Sequence, residues 1–177
     1  PICVLVLANH FSWWDGFFIY LLGKSFIDRK MHIMMLESSL KKYWFFQKVG
    51  AYSIDPDSAS SIIQTFKYSR QIINDKNNFI VTYPQGKIED FETRPLSIRP
   101  GLQNLVKPLT SSTLILPVAF KIQYSNERKP EIFCRFGEII ESEKIVNDYN
   151  FYVNEFTKNV DLLSEDAVNS VFTSSIF

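Results

Sequence analysis

His10 and Asp15 place an imidazole and a carboxylate where a predicted strand is followed by a predicted helix. Residues 2–8 form a continuous apolar run of the kind found in buried strands. Ser12, with Asp15 three residues later and an apolar stretch over residues 17–22, has the pattern of a helix start with a capping box. We therefore expect His10 to precede the helix and Asp15 to lie in its first turn.

This placement would let the two side chains act together. Within one helix they would point apart, because only positions three or four apart are neighbours on a helix surface. With His10 in the turn, the Asp15 carboxylate can reach back to one ring nitrogen and leave the other free as a base. The alternative is structural, since Asp15 alone favours a helix cap and His10 alone favours a hydrogen-bonded structural residue.

Four segments resemble, in the same order, the motifs of the glycerophospholipid acyltransferase family, whose familiar member is lysophosphatidate acyltransferase. The first motif of that family is His, four residues and Asp, often preceded by Asn. The segments are Asn9 with His10 and Asp15, residues 50–55, residues 78–86 and residues 116–119. The resemblance runs from about residue 4 to about residue 136.

The resemblance implies transfer of a fatty acyl group from coenzyme A or acyl carrier protein to a hydroxyl of a lipid acceptor, with no cofactor. His10 would take the hydroxyl proton, a contribution on the order of 10²–10⁴-fold, and Asp15 would orient the ring. Backbone N–H groups around Gly86, or at the helix start after Ser12, are candidate donors to the oxyanion. No Ser or Cys lies in a nucleophile-elbow pattern, which favours direct transfer without an acyl-enzyme.

Two departures from the family bear on the acceptor. The second motif usually ends in Arg, where this chain has Pro56, and the third usually reads Glu-Gly-Thr-Arg, where residues 85–88 are Gln-Gly-Lys-Ile. The family's arginines are implicated in holding the acceptor phosphate, for which a planar guanidinium is well suited. Lys87, Arg94 and Arg99 are candidate replacements, with a solvated basic loop as the alternative.

Further candidates lie in and around the first and third motifs. The other residues expected to bind substrate are Asn9, Gln85 and Gly86. Gln85 would act through amide hydrogen bonds instead of a formal charge. The aromatic side chains expected to form an acyl pocket, or else to pack in the core, are Trp13, Trp14 and Phe17.

Two other activities remain open at this stage. The same histidine and carboxylate could activate water, which would make the protein a thioester or lipid hydrolase. A catalytically silent lipid-binding protein of the same fold is the other alternative, favoured by the altered third motif and opposed by the intact pair. A metal hydrolase needs more ligands than His10, Asp15 and His32 offer at suitable spacing.

Composition indicates one globular domain over residues 1–177. The chain is 46% hydrophobic and 21% charged, with a formal net charge of +0, so it has no global attraction to nucleic acid. Cys3 and Cys134 both lie in apolar, strand-like stretches without metal-ligand spacing, which predicts buried thiols in a reducing compartment.

Several features suggest peripheral contact with the cytoplasmic face of a membrane. No run of about eighteen apolar residues marks a transmembrane helix. Residues 41–48 interleave three lysines with aromatic side chains, a composition suited to the headgroup level or to a core helix end with a basic rim. The chain opens on Pro1 without Met, so we expect an N-terminal segment, which could carry an anchor, to be missing.

Alternating apolar patterns predict a single layered α/β domain with a mostly parallel or mixed sheet flanked by helices. The predicted strands are residues 2–8, 30–36, 52–55, 78–83, 113–120 and 132–136. The predicted helices are residues 12–22, 38–48, a helix over 59–73 capped by Asp57 or Ser58, 102–106, and a C-terminal helix with its apolar face over 152–163. Residues 84–100 are predicted to be a functional loop.

Overall fold

A computed structural model describes residues 3–109, 113–124 and 128–173. Its strands are β1 (Cys3–Ala8), β2 (Lys30–Leu36), β3 (Ala51–Ile54), β4 (Asn78–Thr82), β5 (Thr113–Gln123) and β6 (Glu131–Phe136). They form one six-stranded sheet in the order β3-β2-β4-β1-β5-β6, parallel except for β6. This confirms the predicted α/β fold with a mixed sheet.

Helices cover both faces of this sheet. They are α1 (Asp15–Leu22), α2 (Glu37–Lys42), α3 (Ala59–Ile73), α4 (Gly101–Val106), α5 (Ser142–Asn147) and α6 (Tyr149–Val168). A π-helical turn, Gly23–Ile27, follows α1, and a 3₁₀ helix, Trp44–Val49, follows α2. None of the helices in the described ranges has both the length and the apolar character needed to cross a bilayer.

The apolar run of β1 is explained by its central position. Leu5 and Leu7 belong to the core on the side of α3 and α6, while Val6 and Ala8 belong to the core on the side of α1. Successive strand residues point to opposite faces, so a strand covered on both faces is apolar throughout. All four side chains are fully buried.

The parallel register brings two predicted motifs to one edge of the sheet. Leu7 of β1 pairs with Thr82 of β4, so the residues that follow both strands leave the sheet side by side. The loops at the carboxyl ends of parallel strands are where α/β proteins bind ligands. His10 and the Pro84–Gly86 turn therefore meet despite their separation in sequence.

The start of α1 differs from the prediction. The helix begins at Asp15 and not at Ser12, and Trp14 occupies the N-cap position. Ser12 accepts a hydrogen bond from the N–H of Trp14 at 3.2 Å, so its hydroxyl stabilises the turn before the helix. The capping-box prediction was therefore wrong for Ser12, although Asp15 does reach back as the box requires.

The predicted helix over residues 38–48 was also wrong as a single element. Tyr43, with φ −117° and ψ 55°, interrupts it between α2 and the 3₁₀ helix. Bulky aromatic residues are weaker helix formers than the lysines before them, so packing decides the conformation here. Gly50, with φ +91°, ends the 3₁₀ helix in the left-handed region.

The periodic helices were predicted correctly. Helix α3 is capped by Ser58, whose hydroxyl accepts a hydrogen bond from the N–H of Ser61. Helix α6 starts after Asp148 and buries the apolar face predicted for it. The short helix α5 was not predicted, and β5 extends to Gln123, beyond its predicted end.

Cys134 is a free, half-buried thiol, and burial raises its pKa to about 12. It therefore stays protonated at neutral pH. The sequence predicted a buried thiol, and the Cys134 side chain is only half-buried. The prediction for the side chain of Cys3 lies outside the described part of the chain.

Candidate active site

His10 and Asp15 form the predicted pair. The Nδ1 atom of His10 lies 2.8 Å from Oδ2 of Asp15, whose side chain is fully buried. The His10 side chain, two residues beyond β1, is 23% exposed. A carboxylate at Nδ1 favours the tautomer that leaves Nε2 unprotonated, so Nε2 can accept a proton.

The same carboxylate oxygen also organises the turn before α1. Oδ2 of Asp15 accepts hydrogen bonds from the N–H groups of Phe11 at 2.8 Å and Ser12 at 2.9 Å. The structural and catalytic interpretations of Asp15 are therefore compatible, because one atom holds the turn and contacts the imidazole. The two backbone N–H groups also give a buried carboxylate oxygen the hydrogen-bond partners it needs.

The loop of the third motif holds the backbone of His10 on both sides. The N–H of His10 donates to Oε1 of Gln85 at 2.6 Å, and the N–H of Glu89 donates to the carbonyl of His10 at 2.9 Å. Gln85 in turn donates from Nε2 to Oε2 of Glu89 at 2.9 Å. The peptide units of His10 are thus fixed by residues about 75 positions later in the chain.

The Glu89 carboxylate is stabilised in its charged form. Its residue is 8% exposed, and burial alone would raise its pKa. Hydrogen bonds from Ser97, Gln85 and Lys87 outweigh burial and lower the pKa to about 2. Glu89 is therefore an anion at any pH near neutrality, and the nearby side chains must present donors to it.

Tyr83 supports the imidazole from its face. The rings of His10 and Tyr83 are stacked, with centroids 4.3 Å apart and planes 17° from parallel. Burial, and then the charge of Asp15, raise the pKa of Tyr83 well above its usual value. Neither the Tyr83 hydroxyl nor Oδ1 of Asp15 has a hydrogen-bond partner among the described residues.

A cavity of about 920 Å³ opens beside His10. Its interior is apolar and is formed by the ends of β2 and β3 and by side chains of α3 and α4. The apolar lining includes Ile33, Met34, Ile54, Ile62, Phe66, Leu102 and Leu105. His10, Gly86, Lys87 and Arg99 also line it, so ionisable groups and the imidazole share one cavity with a large apolar surface.

Asn9 does not have the substrate-binding position expected of it. It is 2% exposed, and its amide donates to the carbonyl of Phe120 at 2.9 Å and accepts from the N–H of Phe120 at 2.7 Å. Both ends of the amide are therefore used to join the end of β1 to β5. The prediction for Asn9 is corrected, because its hydrogen-bonding capacity is satisfied within the protein.

The remaining residues predicted to bind substrate differ in whether they line the cavity. Gln85 is 2% exposed and faces His10 and Glu89, so it supports the site without lining the cavity. Gly86 and Lys87 line the cavity, and Nζ of Lys87 lies 3.1 Å from Oε1 of Glu89.

The two arginines of the loop have different positions. Arg94 pairs with Asp161 at 2.6 Å, donates to the carbonyls of Phe91 and Thr93, and does not line the cavity. Its guanidinium is therefore already bound away from the cavity, and its role at the acceptor site stays a prediction. Arg99 lines the cavity, and no ion pair is found for it among the described residues.

Only one of the three aromatic residues predicted for the acyl pocket lines the cavity. Trp13 does so, whereas Trp14 is 55% exposed and Phe17 packs against Trp13 and Phe46. Trp14 and Phe17 are neighbours of Trp13 in sequence, but the start of α1 turns them away from the cavity. Contact of Trp14 and Phe17 with an acyl chain therefore stays a prediction that this cavity does not support.

Several important residues were missed from the sequence. The cavity side chains of β2, α3 and α4 come from separate elements, so only the tertiary structure brings them together. Glu89 could have been recognised, because it is an acidic residue four positions after Gln85 in the loop predicted to be functional.

One predicted oxyanion donor is already engaged, because the N–H of Gly86 donates to the carbonyl of Tyr83 at 3.0 Å. The N–H groups at the helix start after Ser12 stay a prediction for this role. Within the described ranges, no group of three or more His, Cys, Asp or Glu side chains is arranged to hold a metal ion.

The fold and the site define an α/β protein that holds a His–Asp pair in the wall of an apolar cavity at the carboxyl edge of its sheet. A protein-family model described as Acyltransferase matches residues 3–121, about two thirds of the chain. The chain therefore belongs to the glycerophospholipid acyltransferase family, and its general activity is acyl transfer. A comparison with curated proteins gave no match.

Proposed function

We propose that the protein transfers a fatty acyl group from acyl coenzyme A or acyl carrier protein to a hydroxyl of a lysophospholipid or a related lipid, a step of lipid biosynthesis. The observation that carries this proposal is the His10–Asp15 pair, 2.8 Å apart, in the wall of a cavity of about 920 Å³. The cavity supplies apolar surface for an acyl chain, and the pair supplies a base.

The proposed reaction uses His10 twice. Its Nε2 atom takes the proton of the acceptor hydroxyl as the oxygen attacks the thioester carbonyl carbon. The C–S bond then breaks, and the leaving thiolate takes the proton back from the imidazolium. Asp15 stabilises the imidazolium between these steps, so no covalent acyl-enzyme is needed.

The oxyanion of the tetrahedral intermediate needs hydrogen-bond donors. We assign this role to the N–H of Gly16, in the first turn of α1 and in the cavity wall. The positive end of the helix dipole supports negative charge at that position.

Arg99 and Lys87 are the proposed contacts for a phosphate of the acceptor. Both line the cavity together with His10. Arg99 can offer a planar, bidentate donor set, whereas Lys87 would have to leave or share its contact with Glu89. This arrangement would replace the arginines usual in the family with one from the loop after the third motif.

An aromatic surface around α1 and the 3₁₀ helix is the proposed membrane contact. Trp14 and Trp44 are 55% and 60% exposed, and Lys48 lies over the ring of Trp44. Tyr43 and Lys42 belong to the same surface and also line the cavity. Aromatic rings at the headgroup level with lysines beside them suit an anionic bilayer surface.

The test is acyl transfer from labelled acyl thioesters, on coenzyme A and on acyl carrier protein, to a total membrane-lipid extract. Wild type should form a labelled lipid, His10→Ala should not, and mass spectrometry should identify the acceptor. His32→Asn is the control, because His32 is buried in β2 and does not line the cavity.

Other outcomes of this experiment point to the alternatives. Release of free fatty acid with no acylated lipid, dependent on His10, would indicate a hydrolase. No product from either donor would contradict the proposal and favour a lipid-binding protein of this fold.

A further inference from the structure

Gln85 and Glu89 form a buried unit whose contacts with His10 go beyond loop packing. Gln85 accepts the N–H of His10 and donates to Glu89, while the N–H of Glu89 donates to the carbonyl of His10. Both side chains are less than a tenth exposed. The unit therefore holds the two backbone groups of the residue that carries the imidazole.

The orientation of the Gln85 amide is determined by its partners. Turning the amide over would place its NH₂ group against the His10 N–H and its oxygen against the Glu89 carboxylate. Both contacts would be repulsive, and both groups are buried. An amide can accept from His10 and donate to a carboxylate at the same time, which an ionised carboxylate at position 85 cannot, so Gln85 and Glu89 are chemically matched.

We infer that Gln85 and Glu89 are a matched positioning pair for His10, in which the amide at position 85 is required because position 89 is a carboxylate. The inference rests on the proposed role of His10 as the base. It also gives a physical reason for the Gln in the altered third motif. A Glu at position 85 would face Glu89 across a hydrogen-bond distance, and the two charges would repel.

The inference predicts an asymmetric response to two substitutions. In Glu89→Gln, the amide oxygen can still accept hydrogen bonds from Gln85 and from the N–H of Ser97. Only the contact with the exposed Lys87 is lost. This substitution should lower kcat by about threefold, because the hydrogen bonds from Gln85 and Ser97 remain. Gln85→Glu should lower kcat by about 10²-fold, the scale of a misplacement of about 1 Å of a reacting group, with the KM for the acyl donor nearly unchanged.

The double variant is the decisive comparison. In Gln85→Glu/Glu89→Gln, a carboxylate at position 85 can accept from both His10 and the new amide, so kcat should recover by about tenfold over Gln85→Glu. Recovery is partial because the amide nitrogen then faces the N–H of Ser97. A substitution that lowers kcat alone and raises kcat in combination identifies the pair.

A pH series gives a second, independent readout. Protonation of one carboxyl group of the facing pair restores a donor, so the kcat of Gln85→Glu relative to wild type should rise as the pH falls. Thermal unfolding of each variant separates this effect from a general loss of folding, because Glu89→Gln is expected to unfold within a few degrees of wild type.

Different results would contradict the positioning pair and the proposed function. A Gln85→Glu variant as active as wild type, or one that Glu89→Gln does not improve, would overturn the positioning pair. A raised acceptor KM with unchanged kcat would instead make Gln85 a substrate contact. Wild-type protein without His10-dependent transfer would contradict the proposed function itself.

Discussion

At the scale of single residues, Asp15 combines two tasks that usually compete. Its Oδ2 atom accepts two backbone N–H groups and contacts Nδ1 of His10, all at 2.8–2.9 Å. The two backbone hydrogen bonds hold the carboxylate in place independently of the imidazole. Little rearrangement of the carboxylate is therefore needed when the ring becomes charged. Preorganisation of this kind lowers the free energy of a charged intermediate.

Gly86 is a residue whose replacement should cost stability directly. Its φ is +69°, and an added Cβ would lie 2.4 Å from Nε of Arg99. Gly86→Ala should therefore lower the free energy of unfolding by about 1–2 kcal/mol through backbone strain alone. Urea denaturation measures this change.

Gly101 provides the matched control for that prediction. It is the first residue of α4, and an added Cβ there meets nothing within 4 Å. Gly101→Ala should leave stability unchanged or raise it by up to about 1 kcal/mol, because Ala favours a helix. Equal effects of the two substitutions would show that the left-handed turn at Gly86 is not strained by a side chain.

The role of a residue could be predicted from the sequence when its partner lies close to it along the chain. His10 and Asp15 are five residues apart, so the strand and helix patterns around them sufficed to pair them. The partners of Asn9 and Gln85 lie 111 and 75 positions away, and each was predicted to bind substrate. Polar type alone does not distinguish an amide that holds two strands together from one that binds a ligand.

At the scale of elements, α1 and the 3₁₀ helix form the surface that we propose as the membrane contact. Trp44→Ser removes an exposed ring and the apolar surface under Lys48. It should weaken sedimentation with vesicles that contain anionic lipid several-fold. Activity on a soluble short-chain donor and acceptor should be preserved, since Trp44 does not line the cavity.

A control from the other side of the sheet completes this test. Val168 of α6 is 70% exposed, and α6 packs against the opposite face from α1. Val168→Ser should leave vesicle binding unchanged. Equal loss in both variants, or none in Trp44→Ser, would rule out the aromatic surface as the membrane contact.

Helices could be predicted from the sequence where apolar residues recur at helical spacing over a long stretch. Helices α3 and α6 bury one continuous face, and their predicted positions agree with the structure. Residues 38–48 lack such a period, and the break at Tyr43 depends on how the neighbouring rings pack. The helix propensities of the residues cannot locate such a break, because tertiary contacts determine its position.

At the scale of the whole molecule, the sheet order creates the site. Placing β1 between β4 and β5 brings the first and third motifs to the same edge, and β2 and β3 extend that edge to wall the cavity. The alternation of strands and helices predicted an α/β sheet, but the strand order and the cavity follow from long-range packing. The general chemistry could be predicted from the motifs in the sequence, whereas the side chains that line the cavity could not.

The central claim is that His10 and Asp15 act as one unit in acyl transfer. The most direct measurement is kcat for the identified acceptor in His10→Ala, Asp15→Asn and the double variant, with folding verified for each. Each single variant should lose on the order of 10²–10⁴-fold, and the double variant should lose no more than His10→Ala, because residues of one unit are not additive. Undiminished kcat in His10→Ala, or losses that multiply in the double variant, would contradict it.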